Sequence, residues 1–342
     1  MKMCQALANA GNQVCLIAKK SNSGCDNIYE YYNIKNNFEI KYLDSSTFVY
    51  LLKLLKILNE IRPDFIYGRF LHGCTLSVLL GYPTMYEVHD LSFGKTFLSK
   101  ISFYFLRKSA NFRKLVAITY SLQKDVLKKY KDLCPKQTLV LPDGADIPRL
   151  DLSTNRLHNY EKAKLNIGYM GGMQKGKGVD IVVALANEIP HHYFHVVGGV
   201  GHDIEFWKSK CLHSNIFFYG FVGQSELKDY VNYFDICLLP NQKEVFVGTG
   251  DIKKDIGKYT SPLKLFEYIS YKKPIVASDL DVIREVLNHD NSVLVPPDDI
   301  EKWKKAIFYL EDPIERQKIG EHAFRDFVKN YTWDKRAQKI CL

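Results

Sequence analysis

Short apolar runs alternate with amphipathic segments along this chain of 342 residues. Runs that predict buried strands in the first half cover residues 13–18, 64–67, 84–88, 115–118 and 139–141. In the second half they cover residues 166–170, 193–197, 216–219, 236–239, 275–277 and 292–295. Segments with helical spacing separate them, as in residues 48–60. This alternation is typical of parallel sheets with crossover helices.

Two such series predict an α/β protein with two doubly wound, Rossmann-like domains that face each other across a cleft. The polar segment 147–164 lacks periodicity, so we predict the linker there. The domains are accordingly placed at residues 1–155 and 156–342. The length agrees with two domains, because single hydrophobic cores stop growing beyond about 250–300 residues.

The chain opens on a predicted helix. Residues 1–10 (MKMCQALANA) have helical spacing, and Gly11 separates them from the apolar run at 13–18. A doubly wound domain normally begins with a strand and a glycine turn. We therefore expect the N-terminal domain to lack its first strand, as a truncated product or a misassigned start would, and to be less stable than the C-terminal domain.

Composition is that of an ordinary globular protein, with 46% hydrophobic and 25% charged residues. No stretch reaches the ~18 uninterrupted apolar residues of a membrane helix, and the first residues lack a signal-peptide pattern. The eight cysteines form no CxxC pair, which favours reduced thiols. These features predict a cytoplasmic protein.

Charge distinguishes the two halves. Residues 1–150 contain 21 Lys+Arg against 12 Asp+Glu, whereas residues 151–342 contain 26 of each, so the net charge of +9 lies in the first half. A basic half favours an anionic partner such as membrane lipid, lipid-linked phosphate or nucleic acid, and solubility alone is the alternative. Residues 95–114 mix aromatic side chains with six cations, which predicts either a helix lying on the inner face of an anionic membrane or a core helix with a basic outer face. No nucleic-acid-binding module is recognisable, so we expect no nucleic-acid partner.

The segment YTSPLKLFEY (residues 259–268) predicts an anion site at a helix start. Ser261 is the predicted N-cap and Pro262 the first helical residue. Lys264 then lies in the first turn, where the helix dipole disfavours a cation unless an anion such as phosphate binds the free N–H groups. Glu267 lies on the same face by its i+3 spacing. A capped helix with a chance Lys–Glu pair is the alternative.

A second signal is the glycine-rich turn in NIGYMGGMQKGKGVD (residues 166–180). A buried strand runs into Gly171 and Gly172, and Lys177 precedes the next helix. Glycines at such a turn let the backbone approach a ligand closely, and a helix N-terminus favours phosphate. The strand HVVGG ends similarly, at Gly199. Each feature by itself is also consistent with an ordinary turn.

The order of these motifs resembles a known family. The second half resembles the donor domain of family 4 retaining glycosyltransferases, which have the GT-B fold. The matching motifs are, in order, the glycine turn with Lys177, HVVGG, YGFVGQSEL (219–227), DICLLP (235–240), SPLKLFEY and KPIVASDL (273–280). The acceptor domain and closing helix of this family are similar to YEVHD (86–90), LVAIT (115–119), LPDGAD (141–146) and YTWDKRAQKI (331–340). The SPLK and FEY motifs point to a subgroup of the surface-polysaccharide type.

This resemblance implies roles for the matching residues. Lys177 would contact the donor diphosphate, the N–H groups of Leu263 and Lys264 would bind its distal phosphate, and Glu267 would hold the ribose diol. His89, at a strand end in the first half, would face the transferred sugar. The other implied donor-site residues are Gly171, Gly172, Gly199, Phe221, Val222, Tyr259 and Ser261, with the backbone near Phe221 and Val222 facing the base.

Two positions depart from many relatives. Gly172 stands where they carry arginine, and Tyr259 stands where an E-x7-E motif has its first glutamate. Both departures fit a subgroup in which Lys264 supplies the missing cation. Two lysines and a helix N-terminus can stabilise a leaving diphosphate, so the resemblance implies a metal-independent reaction without a cofactor. Asp279 and Asp281 spell DxD, but we interpret them as the cap of the next helix.

The implied function is retaining transfer of a hexose from a nucleotide-diphosphate sugar to a surface-glycan acceptor, which could be lipid-linked. The alternative is a catalytically inactive, truncated relative that serves as a nucleotide-sugar-binding or scaffold protein.

Overall fold

The computed structural model describes residues 1–19, 27–43, 46–148, 154–158, 160–161, 163–247 and 254–341. Its helices are α1 (Lys2–Asn9), α2 (Ile28–Tyr31), α3 (Thr47–Ile61), α4 (Leu71–Leu79), α5 (Phe97–Lys108), α6 (Tyr120–Lys129), α7 (Val179–Glu188), α8 (Gly201–Lys208), α9 (Lys228–Val231), α10 (Leu263–Ser270), α11 (Ile300–Tyr309), α12 (Pro313–Asn330) and α13 (Trp333–Cys341). Short 3-10 turns cover Leu91–Gly94, Pro135–Gln137 and Gly257–Tyr259.

The strands are β1 (Cys15–Ala18), β2 (Glu39–Tyr42), β3 (Ile66–Gly68), β4 (Thr84–Val88), β5 (Phe112–Ala117), β6 (Thr138–Val140), β7 (Asn166–Met170), β8 (Tyr193–Val197), β9 (Ile216–Gly220), β10 (Ile236–Leu239), β11 (Phe246–Val247), β12 (Lys254–Asp255), β13 (Ile275–Ser278) and β14 (Val293–Val295). Every predicted strand is confirmed, with small shifts at the ends. The unpredicted ones are β2, β11 and β12.

The chain divides into two compact units. The N-terminal unit contains Gly11–Asp26 and Asn36–Pro142, and the C-terminal unit contains Met1–Ala10, Asn27–Lys35 and Asp143–Leu342. This division differs from the predicted domains 1–155 and 156–342, because α1 packs against α13. An ion pair of 2.6 Å between Lys2 Nζ and Asp146 Oδ2 fixes the start of α1 there. The predicted linker falls partly on residues 149–153, 159 and 162, which lie outside the described residues.

In the N-terminal unit, the described strands form two parallel sheets, β1-β2 and β3-β4-β5-β6. Ile17 of β1 and Ile66 of β3 both pack against the buried leucines of one cluster, Leu43, Leu54 and Leu58. The two sheets therefore share a core.

The predicted helix at residues 95–114 is shorter in the structure. Thr96 caps α5 by accepting from the Ser99 N–H, and the helix ends at Lys108. Lys114 belongs to β5, where it lies opposite Met85 of β4. Among the described helices, none is both long and apolar enough to span a bilayer.

The C-terminal unit contains one parallel sheet of six strands in the order β14-β13-β10-β7-β8-β9. This is the doubly wound order, in which the direction of winding reverses between β7 and β10. Val182 of α7 and Trp303 of α11 belong to one core cluster, and Phe266 of α10 and Phe327 of α12 belong to the other. Ligands bind such sheets beyond the carboxyl ends of the strands at the reversal point.

Candidate functional site

At the reversal point, the turn after β7 packs directly on the end of β8. The N–H of Gly171 donates to the Val197 carbonyl at 2.8 Å. Gly171 and Gly198 have φ values of 139° and 122°, and a Cβ on Gly198 would lie 2.1 Å from the Gly171 oxygen. Only glycine fits there, since both the backbone conformation and the close approach exclude a side chain.

The rest of the glycine-rich loop lies against the segment after β10. Gly178 precedes α7 with φ of 86°, and a Cβ on it would lie 2.0 Å from the Pro240 oxygen. The Gln242 N–H donates to the Gly176 carbonyl at 2.9 Å. Backbone packing thus accounts for these later glycines. Similarly, Gly199 is packed against Met173, whose Sδ would lie 2.5 Å from an added Cβ.

The side chain of Lys264 enters this turn from α10. Its Nζ lies 4.0 Å from the ring centre of Tyr169, on β7, and would lie 3.6 Å from a Cβ on Gly171. The Nζ atom is buried, and it has no hydrogen-bond partner among the described residues. Burial, and secondarily the charge of Lys177, hold the pKa of Lys264 well below its usual value. A buried ammonium without a partner is unfavourable, and a bound anion would relieve it.

A second cation stands at the same strand end. Lys177 lies in the loop just before Gly178, and burial lowers its pKa. The Tyr169 hydroxyl donates to the Gly172 carbonyl at 2.7 Å, so one tyrosine both holds the turn and contacts Lys264. The structure therefore brings Gly171, Gly172, Lys177 and Lys264 together at the end of β7.

The start of α10 differs from the prediction. The helix begins at Leu263 with Pro262 in extended conformation as the N-cap, so Ser261 is not the cap. The Ser261 hydroxyl instead accepts from the Asp143 N–H at 3.2 Å. By their position in the first turn, the N–H groups of Leu263 and Lys264 have no partner within the helix.

The carboxylate of Glu267 contacts a residue that sequence reasoning missed. Gln224 Nε2 donates to Glu267 Oε1 at 2.7 Å, and burial raises the pKa of Glu267. Gln224 follows the exposed Phe221 and the half-buried Val222 in the loop after β9, so this loop lies beside α10. Lys264 and Glu267 share a helix face but form no ion pair with each other in the described part of the chain.

Two further buried polar residues complete this region. The Met170 N–H donates to the Tyr268 hydroxyl at 2.6 Å, which fixes α10 to the end of β7. Asn241, just after β10, is fully buried, and neither polar atom of its amide has a partner among the described residues. Hydrophobic spacing marks Tyr268 as core and Asn241 as part of a loop, so neither was predicted. Tyr259 ends the 3-10 turn before Thr260 and is half-buried.

In the N-terminal unit, His89 lies at the carboxyl end of β4 above a buried carboxylate. His89 Nε2 is 2.6 Å from Glu87 Oε1, and the Glu87 side chain is only 4% exposed. The Tyr67 hydroxyl donates to Glu87 Oε2. Arg69 Nε lies 3.6 Å from Glu87 Oε1. Sequence reasoning found His89 but missed Glu87, although both are in YEVHD.

The DxD spelling has a structural explanation, though the prediction of a helix cap is wrong. Arg284 Nη2 donates to Asp279 Oδ2 at 2.8 Å, and this bond lowers the pKa of Asp279. The residues that follow form hydrogen-bonded turns, such as that from Leu287 N–H to the Ile283 carbonyl.

Metal-ligand atoms cluster elsewhere in the described residues. His191, His192 and Glu311 have such atoms within 4.8 Å of one another. They lie before β8, at the opposite end of the sheet from the glycine turn. Both ring nitrogens of His192 already have partners, with Leu165 N–H at 3.4 Å and Glu311 Oε1 at 2.9 Å.

Family models match both halves of the chain. Residues 1–149 match "Glycosyltransferase Family 4" and residues 164–312 match "Glycosyl transferases group 1". An alpha-galactosylglucosyldiacylglycerol synthase from Streptococcus pneumoniae is 27% identical over 161 residues, which are 45% of this chain and 38% of that one. An uncharacterised 41.2 kDa protein of the cps region in Klebsiella pneumoniae is 26% identical over 130 residues, 37% of this chain and 31% of that one. The matches span only about a third of these relatives.

Solved structures share the fold. A glycosyltransferase from Rickettsia africae superposes with a TM-score of 0.75 at 15% identity, covering 99% of this chain and 91% of that one. Anabaena HepE in complex with UDP gives 0.68 at 13% identity, covering 96% and 98%. WaaG, a glycosyltransferase of lipopolysaccharide biosynthesis, gives 0.63 at 15% identity, covering 99% and 93%. The fold is therefore GT-B, with two Rossmann-like domains.

Proposed function

Because its first half matches Glycosyltransferase Family 4 and its second half Glycosyl transferases group 1, the chain contains glycosyltransferase domains, and we propose that it is a retaining hexosyltransferase. It takes the sugar from a nucleotide-diphosphate sugar and extends a surface glycan. The observation that carries this proposal is the unpartnered, buried ammonium of Lys264 beside the glycine turn. No contact within the described residues satisfies it, and a diphosphate would.

The diphosphate binds between the end of β7 and the start of α10. Lys177 and Lys264 supply two positive charges, and the free N–H groups of Leu263 and Lys264 supply directed donors. Burial strengthens these interactions, since charges attract more strongly where water is excluded. The same groups stabilise the dianion that develops as the sugar–phosphate bond breaks, without a metal or a cofactor. Retention of configuration follows from the family resemblance.

The nucleoside extends toward the loop after β9. Glu267 accepts from the ribose hydroxyls, and Gln224 either is displaced or keeps the carboxylate oriented. The backbone near Phe221 and Val222 faces the base, while Tyr259 and Ser261 line the remainder. Because HepE is described in complex with UDP and with UDP-glucose, we take a uridine donor as the first candidate.

The family resemblance implies that the N-terminal unit serves the acceptor and that His89 faces the transferred sugar. WaaG acts in lipopolysaccharide biosynthesis and the Streptococcus pneumoniae relative is a glycolipid synthase, which supports a glycan or lipid-linked acceptor.

An anionic membrane surface is the second partner in this proposal. Phe97 and Leu98 of α5 are 76% and 69% exposed, and Ile101, Tyr104 and Phe105 are exposed too. A core helix would bury its apolar residues, as α5 does with Phe103 and Leu106 on its other face. A second, exposed apolar face with lysines beside it suits the boundary of an anionic bilayer. The protein would then work at the cytoplasmic face of a membrane.

A screen of nucleotide sugars by differential scanning fluorimetry tests the donor proposal. Ligand at a hundred times its dissociation constant stabilises the folded protein by about 2.7 kcal/mol, so the true donor stands out by its shift in Tm. The matching donor is then supplied with glycan acceptors, with and without EDTA, and we expect EDTA to leave transfer unchanged. Binding without transfer to any acceptor would favour the alternative, an inactive nucleotide-sugar-binding relative. No stabilisation by any nucleotide or nucleotide sugar would contradict both.

A further inference from the structure

The buried carboxylate of Glu87 stands directly behind the imidazole of His89. His89 is the residue after the end of β4, two positions beyond Glu87, and its Nε2 lies 2.6 Å from Glu87 Oε1. Glu87 is 4% exposed and His89 is 30% exposed, so the imidazole lies between the carboxylate and the surface. An exposed histidine held from behind by a buried acid is an arrangement that fixes the orientation of the ring.

The contacts of Glu87 favour its ionised form. One oxygen accepts from the Tyr67 hydroxyl, and the other lies 2.6 Å from His89 Nε2 and 3.6 Å from Arg69 Nε. A carboxylate that accepts hydrogen bonds and has a cation nearby is stabilised relative to the neutral acid. An ionised carboxylate can only accept, so the proton of the neutral His89 ring must be on Nε2.

We propose that Glu87 is a positioning residue that locks His89 as the Nε2–H tautomer and so presents the lone pair of Nδ1 to a substrate hydroxyl. The substrate group is a hydroxyl donor, from the transferred sugar or from a glycan acceptor, because an sp² nitrogen without a proton can only accept. The identity of the substrate in this inference rests on the proposed function. The tautomer of His89 is independent of the proposed function.

The charged groups around this pair are few in the described residues. β3 and the residue after it contribute Tyr67 and Arg69, and the turn after β4 contributes Asp90, whose side chain caps Ser92. The neighbouring strand β5 carries its cations at its start, away from His89, since Val88 lies opposite Ala117. Glu87 is thus the acid in direct contact with the ring.

Nitrogen NMR of the protein labelled with ¹⁵N-histidine tests the tautomer directly. The chemical shift separates a protonated ring nitrogen from an unprotonated one, and a His89→Gln sample identifies the His89 signals among those of the ten histidines. At pH 8, we expect a protonated Nε2 and an unprotonated Nδ1. Glu87→Gln should give a mixture of tautomers, because an amide can both donate and accept. Tyr67→Phe, which keeps the carboxylate, should preserve the tautomer.

Kinetics provide the second readout. Glu87→Gln should lower kcat/KM roughly ten- to a hundred-fold, because Nδ1 of His89 is then no longer held as the acceptor for the substrate hydroxyl. Glu60→Gln, at an exposed position on α3, should leave kcat/KM unchanged.

The outcomes separate this inference from the proposed function. A protonated Nδ1 in the wild-type protein, or a Glu87→Gln variant that keeps both the tautomer and the wild-type kcat/KM, would overturn the role of Glu87. If Glu87→Gln fails to fold, the wild-type and Tyr67→Phe spectra still decide the tautomer. If the wild-type protein binds no donor and transfers no sugar, the proposed function fails while the tautomer stands or falls on the spectra.

Discussion

The Nζ of Lys264 lies 4.0 Å from the ring centre of Tyr169, although the two residues are on different elements, α10 and β7. This cation–π contact is a favourable interaction of a buried amine that lacks a hydrogen-bond partner in the described residues. Such a contact contributes about 0.5–2 kcal/mol, less than the cost of burying a charge. The protein therefore keeps an unfavourable group at the point where we propose the diphosphate to bind.

Lys264→Met should consequently stabilise the protein and weaken donor binding. Removing an unsatisfied buried cation should raise the free energy of unfolding by about 1–3 kcal/mol at pH 7. Affinity for the nucleotide should fall roughly ten- to a hundred-fold. Urea unfolding and calorimetric titration measure the two effects. Lys208→Met, at the exposed end of α8, is the matched control and should change neither.

The stability gain from Lys264→Met should shrink as the pH rises. The pKa of Lys264 in the folded protein lies below the usual 10.5, so the unfolded chain binds its proton more tightly. Wild-type stability therefore increases as the pH rises through the folded pKa toward 10.5. Unfolding curves of both proteins from pH 7 to 10 test this. A constant difference in stability across that range would show that folding does not lower the pKa of Lys264.

Glu267→Gln should weaken binding of UDP more than binding of inorganic diphosphate. The carboxylate is proposed to hold the ribose diol, which diphosphate lacks. We expect a loss of roughly ten- to a hundred-fold for UDP and little change for diphosphate. Glu205→Gln on α8 is the control. Equal losses for the two ligands would place Glu267 at the phosphates or give it a structural role.

Phe97→Glu and Leu98→Glu should weaken binding to anionic vesicles. Each removes an exposed apolar side chain worth about 1.5–3 kcal/mol on full burial, so a loss of about tenfold or more is expected. Co-sedimentation with vesicles of increasing anionic lipid, at low and high salt, measures it. Leu212→Glu, at 77% exposure in the C-terminal unit, is the matched control. Wild-type binding that ignores salt and anionic lipid would remove the membrane from the proposal.

His195 should make the protein acid-sensitive. It is fully buried on β8, between Tyr219 and Asn166, and burial lowers its pKa from 6.5 to about 3. Between these values the unfolded chain takes up a proton that the folded protein does not, so stability should fall by about 1.4 kcal/mol per pH unit below pH 6.5. His195→Gln should flatten this acid limb relative to His213→Gln, an exposed control. Parallel limbs for the two variants would contradict it.

Periodicity was sufficient to predict most of the strands because buried parallel strands are continuous apolar runs. It missed β2, where Glu39 and Lys41 interrupt the pattern and pair with each other at 3.4 Å. The start of α10 was placed one residue early. Pro262 suits a first helical position, but the hydrogen bond from Asp143 to Ser261, 118 residues apart in the chain, decides the local conformation.

The sequence by itself determined the α/β class and the order of the strands along the chain, because both follow from the local spacing of apolar residues. Its motifs and the family resemblance also named Lys177, Lys264, Glu267 and His89 as site residues, and these roles stay predictions. Only the tertiary structure decided that the Tyr169 ring contacts Lys264, that Gln224 donates a hydrogen bond to Glu267 and that Glu87 contacts His89. The physical reason is that partners of buried polar groups are chosen by the packing of distant segments. Even α1, at the start of the chain, belongs to the C-terminal unit, because it packs against α13 near the other end of the sequence.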